Sequence, residues 1–568
     1  MQCRINHSRS MRNDLRLIPF FSDLSDDVLS AIEKYCRREH YGRGDLVFAN
    51  GELSDRMYII QSGQVKVISE HNGSEKIHSY LNPGNFFGET ALLTGEPRHT
   101  SIRVVIDSDL ISLGRQDLQE LIEEYPAIAV EISRELSRRL THQIQTPVQQ
   151  EELNIIAVVG QQAAALAEQV AALTGEEVFL LDLGGLGPVA VDQTALSQGG
   201  VQFARGGQNI TAEDLPARLS TLVQDYFWVM LAIPPRPSLL TIKAVNLADV
   251  TIQLADAPER WLTQTATRNF FVIKPNHKNI ARLARKIARR QVGLALSSGG
   301  ARGLAHIGVL EVFEREHIPI DLIAASSMGA IIGSLYAAGT PMQQITQIAQ
   351  AMPRQTNFIS GFPMWDIGLP RSGLLRGNRT LDYFKKILRN KNFQDLDIPF
   401  TVVACDVITG EEVLFESGSV ADAVRASMSI IGVFEPAHIG DHFLVDGGTV
   451  NPVPTSVLED KQADIVIASS VIPGLPERLH RKEQLKTGKA PNVLSIILGA
   501  IEIMESEIIR ARSDAIDVLI APDVAQFTTL EYARVNELIQ CGRQAAENAL
   551  PQIRELLMPK PRTKSLAA

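Results

Sequence analysis

The run Asp321-Leu-Ile-Ala-Ala-Ser-Ser-Met-Gly-Ala-Ile-Ile-Gly333 constrains the fold of this chain more than any other stretch. Its first half is apolar and strand-like, and an apolar helix of small residues begins as soon as Ser327 has passed. A serine caught between strand and helix without a loop has to sit on a sharp turn, with its hydroxyl exposed at a sheet edge. That is the sequence form of a nucleophile elbow. Strand and helix approach closely only if the residues two places either side are small, and here they are Ala325 and Gly329. The pattern usually has glycine at both, so the Cβ of Ala325 is expected to crowd the turn and slow turnover.

Two further segments bear on the serine. Upstream, Val292-Gly-Leu-Ala-Leu-Ser-Ser-Gly-Gly-Ala-Arg-Gly-Leu-Ala-His-Ile-Gly308 reads as a strand, a glycine-rich turn and a helix from about Leu304. Such a turn aims unpaired backbone N–H groups outwards at a helix N-terminus, where negative charge is stabilised. By itself it fits a phosphate cradle, an oxyanion hole or a plain tight turn. Downstream, Phe443-Leu-Val-Asp-Gly-Gly-Thr-Val-Asn-Pro-Val-Pro454 delivers Asp446 from a strand into the turn Gly447-Gly448. Alone, Asp-Gly is as well explained as a surface hairpin turn. Together the three segments supply donor loop, nucleophile and base. A carboxylate of pKa ~3.9 is a poor base for a hydroxyl, so Asp446 needs burial and a direct hydrogen bond. His442 and His306 are runner-up bases whose positions suit packing better.

This combination resembles the patatin-like phospholipase family, which carries G-G-G-x-R-G, G-x-S-x-G and D-G-[GA] in this order. Val424-Arg-Ala-Ser-Met-Ser-Ile-Ile-Gly-Val-Phe-Glu-Pro436 and Asp406-Val-Ile-Thr-Gly-Glu411 resemble two intervening segments of that family. The resemblance implies a Ser327–Asp446 dyad without histidine. It also implies an oxyanion hole from the loop Gly299, Gly300, Ala301, Arg302 and Gly303, and no catalytic cofactor or metal. The chemistry implied is carboxylic ester hydrolysis, on acyl esters of phospholipids or lysophospholipids. Ser298, Ala325 and Ile431 depart from the family pattern, which leaves a catalytically degenerate copy, acting as sensor or scaffold, as the alternative.

The N-terminal part reads differently. From about residue 15 to 115, short alternating strands are punctuated by turns such as Phe48-Ala-Asn-Gly-Glu and Gln61-Ser-Gly-Gln, with helical patterns before them and over Leu118–Leu140. Within it, Pro83-Gly-Asn-Phe-Phe-Gly-Glu-Thr-Ala-Leu-Leu-Thr-Gly-Glu-Pro-Arg-His-Thr-Ser101 places Gly88 and Glu89 at a helix start. Arg98 follows, able to form a charge-assisted fork on the same anion. This resembles the phosphate-binding cassette of cyclic nucleotide-binding domains. The resemblance implies that Gly88 and Arg98 bind the phosphate of cAMP or cGMP and that Glu89 binds its ribose, with His99, where residues that bias base choice often lie, and Thr100 in the same nucleotide site. Sensor and hydrolase in one chain resemble the neuropathy target esterase-type lysophospholipases. A transcription factor is disfavoured by the absence of a helix-turn-helix pattern after Leu140.

A chain of 568 residues exceeds one core, and 45% hydrophobic with 21% charged residues is ordinary for globular domains. The fold class expected is multidomain α+β and α/β. A β-roll spans 15–140, a central α/β spacer 150–279 and a patatin-type α/β hydrolase domain 291–555. The spacer shows apolar runs at Ile155, Val178, Trp228 and Phe270, suggesting a parallel sheet. Val158-Val-Gly-Gln-Gln resembles a decayed phosphate loop without its G-K-[ST], so no NTP hydrolysis is expected. Net charge of −10 argues against nucleic acid. Scattered Cys3, Cys36, Cys405 and Cys541, with no apolar leader, point to the cytoplasm. Contact with the inner membrane face would use the helix Ile280–Arg290 (Arg282, Arg285, Lys286, Arg289), the basic loop Arg478–Lys489 or the apolar Val493–Met504.

Overall fold

The structure, a computed structural model, describes residues 26–53, 55–71, 74–81, 83, 85–89, 97–125, 155–187, 192–206, 210–265, 269–351, 372–474, 493–511 and 516–559. The chain divides into two compact units, one reaching to Ala288 and the other running from Arg289 to Met558.

In the first unit, β1 (Arg37–Tyr41), β2 (Leu46–Phe48), β3 (Arg56–His71), β4 (Ser74–Leu81), β5 (Phe86–Phe87) and β6 (Ser101–Gly114) form an antiparallel sheet ordered β1-β6-β3-β4. β2 joins it on β6 and β5 on β3. Alternation drives this: along β6 Ile102, Val104 and Ile106 point inwards while Arg103 and Val105 are half-buried. Two helices, α1 (Asp26–Tyr35) and α2 (Arg115–Glu124), bury Leu29, Ile32, Leu118 and Leu121 against Met57, Ile59 and Ile111. The remainder of the helix read to Leu140 lies outside the described residues, as does the loop Arg478–Lys489.

A second sheet follows in the same unit. Its strands β7 (Ile155–Val159), β8 (Val178–Asp182), β9 (Val201–Arg205), β10 (Trp228–Ile233), β11 (Val250–Leu254) and β12 (Phe270–Ile273) are all parallel, ordered β12-β11-β7-β10-β8-β9. Burial on both faces explains why β7 and β10 are unbroken apolar runs, and β8 one as far as Leu181. β9 and β11 escaped the sequence pattern because Gln202, Arg205, Thr251 and Gln253 interrupt them.

The two sheets share one unit, where the sequence suggested separate domains. Ile106 packs into the same core as Leu215, Leu219 and Leu222, and Ser220 Oγ donates to the Gly63 carbonyl at 3.1 Å. Arg43 pairs with Asp249 at 3.2 Å, and Lys243 pairs with Asp107. These partners lie more than a hundred residues apart in sequence, so local patterning carried no trace of them. The basic helix has the expected length but begins and ends three residues earlier. α3 (His277–Ile287) buries Ile280, Leu283, Ala284 and Ile287 and stops there. Arg289 lies beyond it at φ +51°, off the basic face, while Lys286 sits over the Phe271 ring at 4.4 Å.

The second unit is built on an eight-stranded sheet. Its strands are β13 (Val292–Leu296), β14 (Leu322–Ser326), β15 (Phe400–Asp406), β16 (Glu412–Phe415), β17 (Ala437–Ile439), β18 (His442–Asp446), β19 (Ile465–Ser469) and β20 (Val518–Ile520). Their order is β17-β18-β15-β14-β13-β19-β20, with β16 on β15. β13, β14, β15, β19 and β20 run parallel, and β18 runs against β15. Of the flanking helices, α4 (Ala305–Arg315) packs on α7 (Val535–Leu557), α5 (Met328–Ala337) follows β14, and α6 (Val493–Ala511) carries apolar and acidic residues together. The α4–α7 contact is glycine to backbone on both sides: a Cβ on Gly308 would come 2.0 Å from the Ile539 carbonyl, and one on Gly542 1.8 Å from that of Ala305.

Candidate active site

Ser327 sits between β14 and α5 with φ +53° and ψ −119°, a backbone conformation that L-residues resist. Three contacts hold it there. Its N–H donates to Ser427 Oγ at 2.9 Å, Ser326 Oγ donates to the Asn451 carbonyl at 2.6 Å, and α5 presses onto β13 at Gly329. A Cβ on Gly329 would lie 2.4 Å from the Leu296 carbonyl. Ala325, by contrast, is a regular strand residue between Leu296 and Val402, its methyl group part of the core. The crowding expected at position 325 is therefore not seen: the close approach falls at 329, where glycine is present.

Register brings Asp446 to the serine. Ser326 pairs with Val403 and Asp446 pairs with Ala404, the next residue along β15, so Ser327 and Asp446 flank one level of the sheet. Ser327 Oγ donates to Asp446 Oδ2 at 2.5 Å, and the Gly448 N–H donates to Oδ1 at 2.8 Å. Gly447 cannot carry a side chain, since its Cβ would meet the Val403 carbonyl at 2.2 Å. Burial pushes the Asp446 carboxyl up to about 6, against the pull of the Ser327 and Gly448 bonds. Burial of this kind raises the proton affinity of a carboxylate, as acceptance of a hydroxyl proton would require.

The glycine loop closes the site from the β13 side. Gly299 (φ +143°) and Gly300 (φ +58°) line a cleft with Ser327 and Asp446. Among the described residues their N–H groups have no acceptor. The N–H of Ala301 is different: it donates to the Thr529 carbonyl at 2.8 Å, which removes Ala301 from the oxyanion set read from the sequence. The Arg302 side chain braces the loop, its guanidinium donating to the Phe527 carbonyl at 2.9 Å and pairing with Glu502 at 3.2 Å. Gly303 makes room for Met328, whose Cγ would meet an added Cβ at 2.4 Å.

Neither histidine competes as base. His306 is fully buried, with Nδ1 against Ser469 Oγ at 2.8 Å and Nε2 against the Ser297 carbonyl at 3.0 Å. Burial drives its pKa down to about 4. The His442 ring is taken by Asp406 at 2.7 Å, and this bond holds the Asp406 carboxyl below its usual range.

At the nucleotide cassette, Gly88 (φ +85°) and Glu89 end the described stretch before residues 90–96, and Arg98 returns beside them. Arg98 is buried, lies 4.0 Å over the Phe48 ring, and donates to the Gly88 and Arg56 carbonyls, both at 2.5 Å. Burial pulls its pKa down, and Glu89 is among the charges that pull it back. An added Cβ on Gly88 would strike Arg98 Nη1 at 2.6 Å, so the guanidinium and the start of the helix are in contact. His99 is exposed and Thr100 half-buried.

The patatin-like phospholipase family matches residues 294–459, and the cyclic nucleotide-binding domain matches residues 38–125. The chain carries a patatin-like phospholipase domain and a cyclic nucleotide-binding domain. An uncharacterized NTE family protein of Mycobacterium tuberculosis is 26% identical over 95% of this chain and 96% of its own length. Lysophospholipase NTE1 of Pyricularia oryzae is 21% identical over 90% of this chain and 42% of its own length. Among solved structures, the regulatory domain of Toxoplasma gondii PKA with cAMP is 24% identical over 21% of this chain and 46% of that one, with a TM-score of 0.20.

In the patatin-like domain, the segment Val424–Pro436 does more than its family likeness disclosed. Ser427 Oγ holds the Ser327 N–H, while the Ser429 carbonyl accepts the Asp446 N–H at 2.9 Å. Arg425 braces the segment by donating to the Arg376 carbonyl at 2.8 Å and the Glu435 carbonyl at 3.0 Å. One short stretch therefore positions both members of the pair. Glu505 was missed altogether: it lies on α6 far along the chain, yet its carboxyl accepts from Ser298 Oγ at 2.6 Å beside Asp446. Among the described residues no helix is long and apolar enough to cross a membrane, and no group of three or more His, Cys, Asp or Glu is arranged for a metal ion.

The raised pKa of Asp446 also bears on stability. Its folded value lies above the unfolded one, so its contribution is fully present below the unfolded pKa and is lost as pH rises through about 6. Asp446→Asn removes the buried charge and is expected to raise the urea midpoint of the full chain at pH 8, with a smaller gain at pH 5. Equal midpoints for variant and wild type at pH 8 would show that burial of this carboxylate costs the fold nothing.

Proposed function

We propose that this protein is a serine esterase that cleaves acyl esters of lysophospholipids or phospholipids, with Ser327 as nucleophile and Asp446 as general base. The observation carrying this reading is the direct Ser327–Asp446 hydrogen bond at the floor of a cleft edged by the Gly299 and Gly300 N–H groups. Ser327 Oγ attacks the acyl carbonyl while its proton passes to Asp446. The tetrahedral oxyanion is stabilised by Gly299 and Gly300, each such donor being worth ~3–4 kcal/mol to the transition state. Collapse expels the alcohol, which takes the proton from Asp446, and leaves acyl-Ser327. Water then attacks the acyl group with Asp446 again as base, and the fatty acid departs.

Substrate class is supported by the cleft walls. Ile430, Ile431, Leu498, Ile501 and Leu530 line it, a surface suited to an acyl chain. Ile431, which replaces the family proline, extends that apolar wall. The lysophospholipase name of the fungal relative agrees with a single-chain lipid. On α6, Ile496, Ile503 and Met504 are exposed along the helix that also lines the cleft, and we assign them to peripheral contact with a membrane or micelle. The N-terminal domain is read as the regulatory site, binding cAMP or cGMP through Arg98 and Glu89. Segments 15–140, 150–279 and 291–555 are the proposed sensor, spacer and hydrolase.

Wild-type protein is expected to be labelled by a fluorophosphonate probe and to hydrolyse lysophospholipid, with both lost in Ser327→Ala. Because the base must be unprotonated, kcat/KM should rise with pH through about 6. Labelling that is absent in wild type, or undiminished in Ser327→Ala, refutes the nucleophile and leaves the sensor or scaffold reading. Ile503→Asp should lower turnover on micelles while sparing a soluble short-chain ester; equal losses on both would argue against membrane contact. Arg98→Ala should weaken cyclic nucleotide binding at least ~10-fold, the scale of a lost charge-assisted bond. Calorimetry gives that affinity, and a saturating nucleotide that alters neither kcat nor KM removes the regulatory claim.

A further inference from the structure

Ser298 stands where the family's donor loop has its first glycine, and the structure gives its hydroxyl a partner. Ser298 Oγ donates to Glu505 Oε1 at 2.6 Å, with both residues buried. Gly448 completes the contact, since a Cβ there would fall 2.3 Å from Glu505 Oε1 and 2.8 Å from Ser298 Oγ. The Ser298 N–H is tied to the Pro452 carbonyl at 2.9 Å, and its own carbonyl accepts from Ser297 Oγ at 2.8 Å. Every polar group of Ser298 is thus fixed immediately before Gly299, and the side-chain anchor comes from α6. We propose that Glu505 is a positioning residue of the hydrolase site, which through Ser298 holds the Gly299 and Gly300 N–H groups against Ser327. The inference rests on the Ser327 nucleophile and adds a residue to that reaction.

Ionisation of Glu505 ties the same contact to pH. The charged groups facing it are Asp446 at the end of β18, Glu502 one turn earlier on α6 and Arg302 in the donor loop; Tyr532, whose hydroxyl burial pushes up to about 12, lies near Asp446. Burial pushes Glu505 up to about 8, with Asp446 and Glu502 adding to it and the Ser298 bond and Arg302 opposing. At neutral pH the carboxyl is therefore uncharged beside a second carboxylate and a developing oxyanion. Above about 8 it becomes an anion there, and like charge disfavours the tetrahedral state.

The test is steady-state kinetics of the full chain on lysophospholipid, with fluorophosphonate labelling as a second readout. Wild-type kcat/KM is expected to rise through about pH 6 and to fall through about pH 8. Glu505→Ala should lower kcat on the order of 10- to 100-fold, the cost of a misplaced donor, with KM little changed. Glu505→Gln, whose amide oxygen still accepts from Ser298, should recover most of that rate and lose the alkaline limb. Ser298→Gly should lower kcat, and adding Glu505→Ala to it should cost little more, because one bond is broken in both. The proposal is overturned if Glu505→Ala leaves kcat unaltered, if Glu505→Gln keeps the alkaline limb, or if the two single losses add in full. Should Glu505→Ala not fold, Glu505→Gln and Ser298→Gly still decide. If wild type is not labelled at all, the nucleophile assignment falls and this inference with it. Labelling lost in Ser327→Ala, with Glu505 variants like wild type, sinks this inference alone.

Discussion

The hydrolase unit is organised around a backbone conformation that it has to enforce. Ser327 at φ +53° and ψ −119° costs ~1–3 kcal/mol, which nothing in the serine itself returns. The enforcement is distributed. β14 is clamped between β13 and β15, Ser427 takes the Ser327 N–H, and α5 is drawn onto β13 where Gly329 has no side chain. Remove any of these and the serine could relax into the strand or the helix. The strain has a use, because only this conformation sends Oγ out of the sheet toward Asp446 while the chain turns away beneath it.

A second constraint is the burial of acid. Asp446, the proposed base, has its proton affinity raised by losing solvent, yet a second carboxyl, Glu505, is buried beside it. Two neighbouring carboxylates in low dielectric cannot both ionise cheaply. The structure resolves the conflict by unequal hydrogen bonding. Asp446 receives the Gly448 N–H and the Ser327 hydroxyl, which favour its charge; among the described residues Glu505 receives the Ser298 hydroxyl alone. The carboxyl with more donors ionises first, and it is the one that touches the serine.

Much of this was legible in the sequence because the chemistry sits at strand ends, where motif and geometry coincide. Ser327, Gly329, Asp446 and the Gly299–Gly300 turn each lie within a short apolar-to-glycine transition that local pattern detects. Two expectations failed for one reason. Ala325 looked like a defect because a motif treats positions symmetrically, while the packing of α5 on β13 makes only 329 critical. Ala301 looked like a donor because a loop motif cannot show that Thr529, far along the chain, claims its N–H. Glu505 was invisible for the same reason: a glutamate in an apolar helix carries no signal until the helix is laid over the cleft. What sequence misses here is long-range partnering, and the substitution at Ser298 was its one trace, a departure from pattern that needed a partner to be tolerated.

The first unit applies the same lesson to the join between its two sheets. The cyclic nucleotide-binding sheet and the parallel sheet after it share apolar core around Ile106 and are cross-linked by the Arg43–Asp249 and Lys243–Asp107 pairs. These ions lie at the junction with limited solvent access, so their attraction is screened less than that of surface pairs. A spacer that served only to separate two domains would have no need of them. The Val158 loop lacks the lysine and hydroxyl of a phosphate loop, but β7 and the strands around it keep full burial on both faces. A rigid parallel sheet fused to the sensor cannot absorb a displacement of β6 or β3 within a flexible linker. Any such displacement would reach its own helices, which is what the proposed regulatory reading requires.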